Sequence, residues 1–377
     1  MEQKRLGDIA TYINGYAFKP EDRGTEGLPI IRIQDLTGNS YDLGFYDGEY
    51  PEKIEINNGD ILISWSASLG VYVWNKGKAL LNQHIFKVVF DKLDINKQYF
   101  VFAIRYNLKE MEKQTHGATM KHITKKDFDK ILIPFPDLKI QSEIAETLDT
   151  LQSIITHRRT QLEKLDLLVK ARFVEMFGDP VINPYGWEMR RLQDVCKKLT
   201  DGTHFSPKSF SSGDYKYITA KNIKIDGFDF TGLSYVPEAV HRSIYERCNP
   251  EYGDILYIKD GATTGIAMIN TLHEEFTMLS SIALIKYDRS LLNGIFLKTL
   301  MNSQPFYAAM RNNMGGAAIT RLTVKKLCDT IVLVPPLALQ KQLADFVKQV
   351  DKSKATVQKA LDEAQLLFDS LMQEYFG

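Results

Sequence analysis

Little in this sequence supports covalent chemistry. Its 377 residues carry only three cysteines, Cys196, Cys248 and Cys328, far apart and without paired spacing. Neither a disulfide framework nor a thiolate metal site is expected from them. No apolar run approaches the roughly 18 residues that a bilayer span needs, and residues 1–5 are charged and polar, unlike a signal peptide. A cytoplasmic protein without a membrane partner is the expectation. Charge of one sign is also missing, since 47 Lys and Arg stand against 47 Asp and Glu for a net charge of +0. That balance excludes a polycationic nucleic-acid wrapper but leaves room for local basic patches. Motifs of known catalysts fail one by one. Asn183-Pro184-Tyr185 lacks the second proline of an amino-methyltransferase motif, and no glycine-rich cofactor loop follows a strand. Pro136-Asp137 has no acid-x-Lys at a usable distance, and His273-Glu274-Glu275 lacks the second histidine of a zinc helix. No catalytic residue, metal or cofactor is expected.

What the sequence does have is a repeat. Residues 140–178 read as one long helix and return as residues 339–377, at a constant offset of 199 (339 minus 140, and 377 minus 178). Alternating steps of four and three lead in the first copy from Ile144 through Leu148, Leu151, Ile155, Arg158, Leu162, Leu165, Val169 and Arg172 to Met176. In the second copy they lead from Leu343 through Val347, Val350, Lys354, Val357, Leu361, Ala364, Phe368 and Leu371 to Tyr375. An apolar seam every 3.5 residues buries one narrow stripe against a partner helix. One such helix would equally suit a separate core. Two that share register, length and a closing Phe-Gly predict the halves of one antiparallel coiled coil, with Arg158 and Lys354 as polar positions that fix register.

Ahead of each helix lies a stretch with the marks of a mixed α/β (α+β) globule. In the first, strands are expected at residues 29–33, 60–64, 71–74, 85–90 and 130–135, and a helix at 98–113. The order returns in the second: Arg191-Leu192-Gln193-Asp194-Val195 matches Arg5-Leu6-Gly7-Asp8-Ile9, and Gly253-Asp254-Ile255-Leu256 matches Gly59-Asp60-Ile61-Leu62. Gly316-Ala317-Ala318-Ile319-Thr320-Arg321 matches Gly117-Ala118-Thr119-Met120-Lys121-His122. The expected organisation is a pseudo-two-fold internal repeat. A globule at 1–137 and a helical region at 138–178 are followed by a second globule at 179–336 and a second helical region at 337–377.

These residues resemble a family. Phe177-Gly178-Asp179-Pro180 followed by Asn183-Pro184 and Gly186-Trp187 is similar to the linker after the first long helix in specificity subunits of type I restriction-modification systems. Asp201-Gly202-Thr203-His204, the run Tyr217-Ile218-Thr219-Ala220-Lys221-Asn222-Ile223, and Gly261-Ala262-Thr263-Thr264-Gly265 resemble its second target-recognition domain. Pro134, Pro136 and Gln141, and more loosely Pro335-Pro336 with Gln340, resemble the entries to its helical regions. The first domain departs most, with Trp65-Ser66-Ala67-Ser68-Leu69-Gly70 where Gly-Ala-Thr-x-Gly would stand. The resemblance implies a non-catalytic subunit that binds double-stranded DNA. It also implies that the helices hold two DNA adenine methyltransferase (M) subunits and, through them, a restriction motor (R) subunit.

Loops rich in Lys, Arg, Asn, Gln, Ser and Thr are the candidates for DNA contact, because those side chains meet phosphates and base edges. In the first globule they are Trp65, Ser66, Lys78, Asn82, Gln83, His84, His116, Thr119, Lys121 and His122. In the second they are His204, Lys208, Lys221, Asn222, Lys259, Thr263, Thr264, Arg311, Asn312 and Arg321. A coiled coil uses only its seam internally, so Glu143, Arg159, Lys164, Lys170, Lys341, Gln358 and Glu363 on the outer faces are expected to meet a partner protein. The alternative is a duplicated protein-binding scaffold, or a DNA-binding regulator without a methyltransferase partner. An enzyme acting on DNA through unrecognised residues is the remaining reading.

Overall fold

The computed structural model describes residues 2–39, 42–114, 124–312, 314 and 321–377. The chain divides into two compact units, Met1–Arg159 with Lys359–Gly377, and Thr160–Gln358. Each unit holds a sheet-rich globule and a stretch of both long helices, Leu138–Phe177 and Leu337–Phe376, of 40 residues each.

In the first unit the main sheet runs in the order Thr11–Asn14, Ile85–Val89, Ile61–Ser64, Gly70–Val73, all antiparallel. Its central strand is a continuous apolar run because both faces are covered. Ile61 and Ile63 enter the cluster that contains Phe100 and Ala103 of helix Lys97–Gln114, while Leu62 points the other way into a cluster with Ile30, Leu80 and Trp74. The second unit repeats the order as Cys196–Asp201, Ile282–Tyr287, Ile255–Ile258, Ala267–Ile269. Ile255 and Tyr257 face one cluster there, Leu256 and Ile258 the other. A smaller sheet in each unit carries a parallel pair, Ile30 beside Leu80 in the first and Ile218 beside Met278 in the second.

The strand expected at 29–33 ends at Ile31 and gives way to a short helix, Ile33–Thr37. Local hydrogen bonding is the reason. Asp35 accepts from the Arg32 amide at 2.8 Å, and Gly38, at φ 76, closes the turn in the left-handed region.

No residue of the heptad seam is exposed in either long helix. In the first unit Ile144 and Leu148 share a cluster with Met372 and Phe376, and Arg159 Nη2 donates to Gln365 at 3.2 Å. Rising numbers on one helix therefore meet falling numbers on the other, which is antiparallel pairing. The second unit shows the same sense, with Phe173 and Phe177 beside Leu343 and Val347, and Asp166 2.6 Å from Lys354. Lys354 is the polar seam position. A part-exposed pair of this kind adds at most about 1 kcal/mol, so its contribution is register more than stability.

Each globule is also tied to the start of its own helix. The buried Gln141 accepts from the Asn96 amide (2.9 Å) and donates to the Pro136 carbonyl (2.8 Å). Gln340 repeats this with Asn293 (2.8 Å) and Pro335 (2.7 Å). The glutamines after the prolines are thus joints between helix and sheet domain.

Candidate nucleic-acid interface

In the first unit the chain leaves strand Thr11–Asn14 through Gly15 and Tyr16 and meets the turn that follows strand Ala79–Leu81. The Gly15 amide donates to the Ile85 carbonyl (3.1 Å), Tyr16 to Leu81 (2.8 Å), Gln83 back to Tyr16 (2.8 Å) and Trp65 to His84 (3.2 Å). The second unit repeats every bond: Gly202 to Ile282 (3.3 Å), Thr203 to Met278 (2.8 Å), Ser280 to Thr203 (2.8 Å) and Lys259 to Ser281 (2.9 Å). Glycine is required at both crossings. A Cβ at Gly15 would stand 2.0 Å from the Asn82 carbonyl oxygen, and one at Gly202 2.1 Å from that of Met278. Asn14-Gly15-Tyr16 is therefore the counterpart of Asp201-Gly202-Thr203.

On this shared frame the two units place unlike side chains. In the first, Trp65 Nε1 donates to Asn14 Oδ1 (3.3 Å), and the indole stacks on Phe86 with His84 edge-on at 4.9 Å. His84 (φ 72) and Ala67 (φ 59) hold a backbone conformation that side chains rarely adopt. In the second, Lys259 stands in the place of Trp65, and its ammonium reaches Asp201 (3.5 Å) and Asp260 (3.1 Å). Asp201 also lies 3.1 Å from His204 Nε2 and accepts from Arg247 Nη1 at 3.2 Å. An amide–indole pair on one face thus corresponds to a carboxylate with three basic partners on the other.

The structure gathers His204, Lys259, Thr263, Arg311 and Arg321 around the turn at residues 259–265. Arg311 donates to the Ala262 carbonyl (3.4 Å) and lies over the Tyr307 ring, and Arg321 forms a backbone bridge with Asp260. Thr264 is buried, its hydroxyl donating to the Gly261 carbonyl (2.7 Å) and shaping the turn. Lys259 is buried as well. Asn222 turns its amide inward, accepting from the Thr219 amide (3.0 Å) and donating to the Asp229 carbonyl (3.0 Å). Beside it Lys221 is exposed. Lys208 stands apart, over Phe210, and Asn312 is exposed at the end of helix Gln304–Asn312. In the first unit Trp65, Ser66, Asn82, Gln83 and His84 come together on the matching turns, whereas Lys78 is held by Glu55 at 2.9 Å. His116, Thr119, Lys121 and His122 lie outside the described residues.

Sequence reasoning missed Asn14, Tyr16, Asp201 as a hub, and Arg247. Only the flanking glycine could have signalled the first three, and Arg247 carries no motif. It also missed pairs of exposed leucines on the helices, Leu167-Leu168 and Leu366-Leu367, again 199 apart (366 minus 167).

One arrangement resembles a catalytic relay. His241 Nδ1 lies 2.9 Å from the Thr277 hydroxyl and Nε2 lies 3.2 Å from Glu275. Thr277 and His241 have 0% exposure, so no substrate reaches that hydroxyl, and the group serves as a clasp within the fold. Burial lowers the His241 pKa, which favours the neutral ring. Burial also pushes the Cys196 and Cys248 thiols up to about 12, so neither offers a thiolate at neutral pH. Among the described residues no group of His, Cys, Asp and Glu could hold a metal ion, and no helix is long and apolar enough to cross a membrane.

One repeated frame thus carries two unlike sets of polar side chains. The chain belongs to the family of the type I restriction modification DNA specificity domain, whose family model matches residues 1–165 and 184–365. It is a specificity subunit of that restriction-modification class, a DNA-recognition component without catalysis of its own. It is 23% identical over 399 residues to the Escherichia coli type I restriction enzyme EcoBI specificity subunit, covering 98% of this chain and 83% of that one. It is 22% identical over 386 residues to the MjaVIII specificity subunit of Methanocaldococcus jannaschii, covering 95% and 89%. The fold is similar to the S subunit of the type I system from M. genitalium, with a TM-score of 0.58, 16% identity, and 100% and 96% of the two chains covered.

Proposed function

We propose that this subunit reads an asymmetric, two-part site in double-stranded DNA. Domain 1–137 reads one half, domain 179–336 reads the other, and unread base pairs lie between. The observation that carries this reading is the repeated frame with unlike side chains, the Trp65–Asn14 pair in one domain and, in the other, the buried Lys259–Asp201 pair with the exposed His204 beside it. Identical copies on a repeated scaffold would read a palindrome, as symmetric dimers do; unlike faces read unlike half-sites. Basic and amide side chains at the rims, among them Arg311, Arg321, Lys221 and Gln83, suit phosphates and base edges.

The helical regions 138–178 and 337–377 hold the partners. Glu143, Arg159, Lys164, Lys170, Lys341, Gln358 and Glu363 are all exposed, and the exposed leucine pairs add apolar surface to the same helices. A structural relative with TM-score 0.60, 99% and 97% coverage and 16% identity was described in work on complex assembly of the type I restriction-modification system. By extension this chain seats two adenine methyltransferase subunits and, through them, the restriction subunit, in the cytoplasm. No cofactor belongs to the chain itself.

Selection of random duplexes by the chain bound to its methyltransferase partner tests the reading. The expected product is one sequence of two dissimilar halves around a fixed spacer. A palindrome, or no enrichment, would contradict it.

A further inference from the structure

Arg247 lies outside every residue assigned above to DNA. It follows helix Glu238–Tyr245 and reaches to three consecutive residues at the crossing. Nη1 donates to Thr200 Oγ1 and to Asp201 Oδ1, both at 3.2 Å, and Nη2 donates to the Gly202 carbonyl. Asp201 is 4% exposed, while the Arg247 side chain keeps 49% of its surface.

A guanidinium carries five N–H donors in a rigid planar fork. The three bonds leave the Nε–H and one Nη2–H without a partner among the described residues. An arginine that only satisfies the buried Asp201 carboxylate and the Gly202 carbonyl gains stability from those bonds, but nothing from the fixed direction of its remaining donors. One that must meet a ligand does gain, because the side-chain freedom is lost on folding and not on binding. Two neighbouring donors on a fixed plane fit a pair of acceptors, either two oxygens of a phosphate or O6 and N7 of a guanine.

Resting on the reading that this face meets DNA, we infer that Arg247 is a DNA contact of the second domain and that Asp201 is its positioning residue. Asp201 sets the guanidinium plane through one oxygen, and Lys259 balances its charge from the other. The first domain has no such carboxylate, because Asn14 stands there and accepts from Trp65. The contact therefore belongs to the second half-site alone.

The test uses the full chain with its methyltransferase partner, bound to duplexes altered one base pair at a time, across a range of salt. Arg247→Ala should weaken binding by about ten-fold or more. If the acceptor is a base, discrimination is lost at one pair of the second half-site, and Arg247→Lys, which keeps the charge but not the fork, does not restore it. If the acceptor is a phosphate, all sequences weaken alike, the log–log salt slope becomes shallower by about 0.9, and Arg247→Lys restores most of the affinity. Asp201→Asn should reproduce the same pattern in weaker form, whereas a merely structural role would shift the melting temperature and leave base preference and salt slope alone. Unchanged affinity, slope and preference in a folded Arg247→Ala protein overturn the inference. Should Arg311→Ala and Arg321→Ala still alter the second half-site, the reading of this face survives that failure. Should all three leave it untouched, the reading falls too.

Discussion

Alanine at position 15 is expected to abolish reading of the first half-site while the second unit keeps its fold and its specificity. The added Cβ would lie 2.0 Å from the Asn82 carbonyl oxygen and 2.4 Å from its carbon, and both are backbone atoms that cannot rotate away. Strand Thr11–Asn14 must separate from the turn after strand Ala79–Leu81, breaking the bonds from Gly15, Tyr16 and Gln83. At about 1 kcal/mol for each hydrogen bond, with backbone strain of about 1–3 kcal/mol on top, the local cost is about 4 kcal/mol or more. Gly202→Ala should do the same to the second half-site, where the clash is with Met278. Gly24→Ala is the control, since its nearest neighbour would be an oxygen at 3.8 Å. Binding to duplexes altered in one half or the other, together with thermal melting, reads the effect. Intact first-half reading by a folded Gly15→Ala protein would refute the part given to this crossing.

Reversing charge on the outer helix faces is expected to abolish co-purification with the methyltransferase subunit without unfolding the chain. Lys164, Lys170 and Lys341 are exposed, and substitutions at such positions usually change stability by no more than about 0.5 kcal/mol. Like charges opposed across an interface cost several kcal/mol, so Lys164→Glu with Lys170→Glu and Lys341→Glu should weaken association by about 100-fold or more. Leu167→Glu with Leu168→Glu, one turn beyond Lys164, should act in the same direction through lost apolar contact. Circular dichroism checks the helices. Co-purification at the parental level by both variants would place the docking surface elsewhere.

The parts legible in the sequence are those set by local periodicity. A heptad needs only its own spacing, so the seams from Ile144 and from Leu343 could be traced without knowledge of a partner. The central strand around Ile61 could be read from its own residues and its counterpart around Ile255 from the repeat; both are apolar throughout because both of their faces are buried. The crossing was hidden. It is made by backbone groups, its two strands lie far apart in the chain, and loop insertions shift the offset from 187 at Gly15 and Gly202 (202 minus 15) to 197 at Leu81 and Met278 (278 minus 81). Residue type also cannot tell an outward polar side chain from one that shapes a turn. Asn222 and Thr264 have the chemistry of DNA contacts and spend it on neighbouring backbone atoms, while the half-exposed Arg247 stands in no motif.

The most direct measurement of the central claim is a domain exchange. Residues 1–137 are replaced by the matching domain of a relative, and methylated adenines are sequenced in cells that carry the hybrid with its methyltransferase partner. The account predicts a new sequence in one half of the target, with the other half and the spacer unchanged. A hybrid that alters both halves together would contradict the assignment of one half-site to each domain.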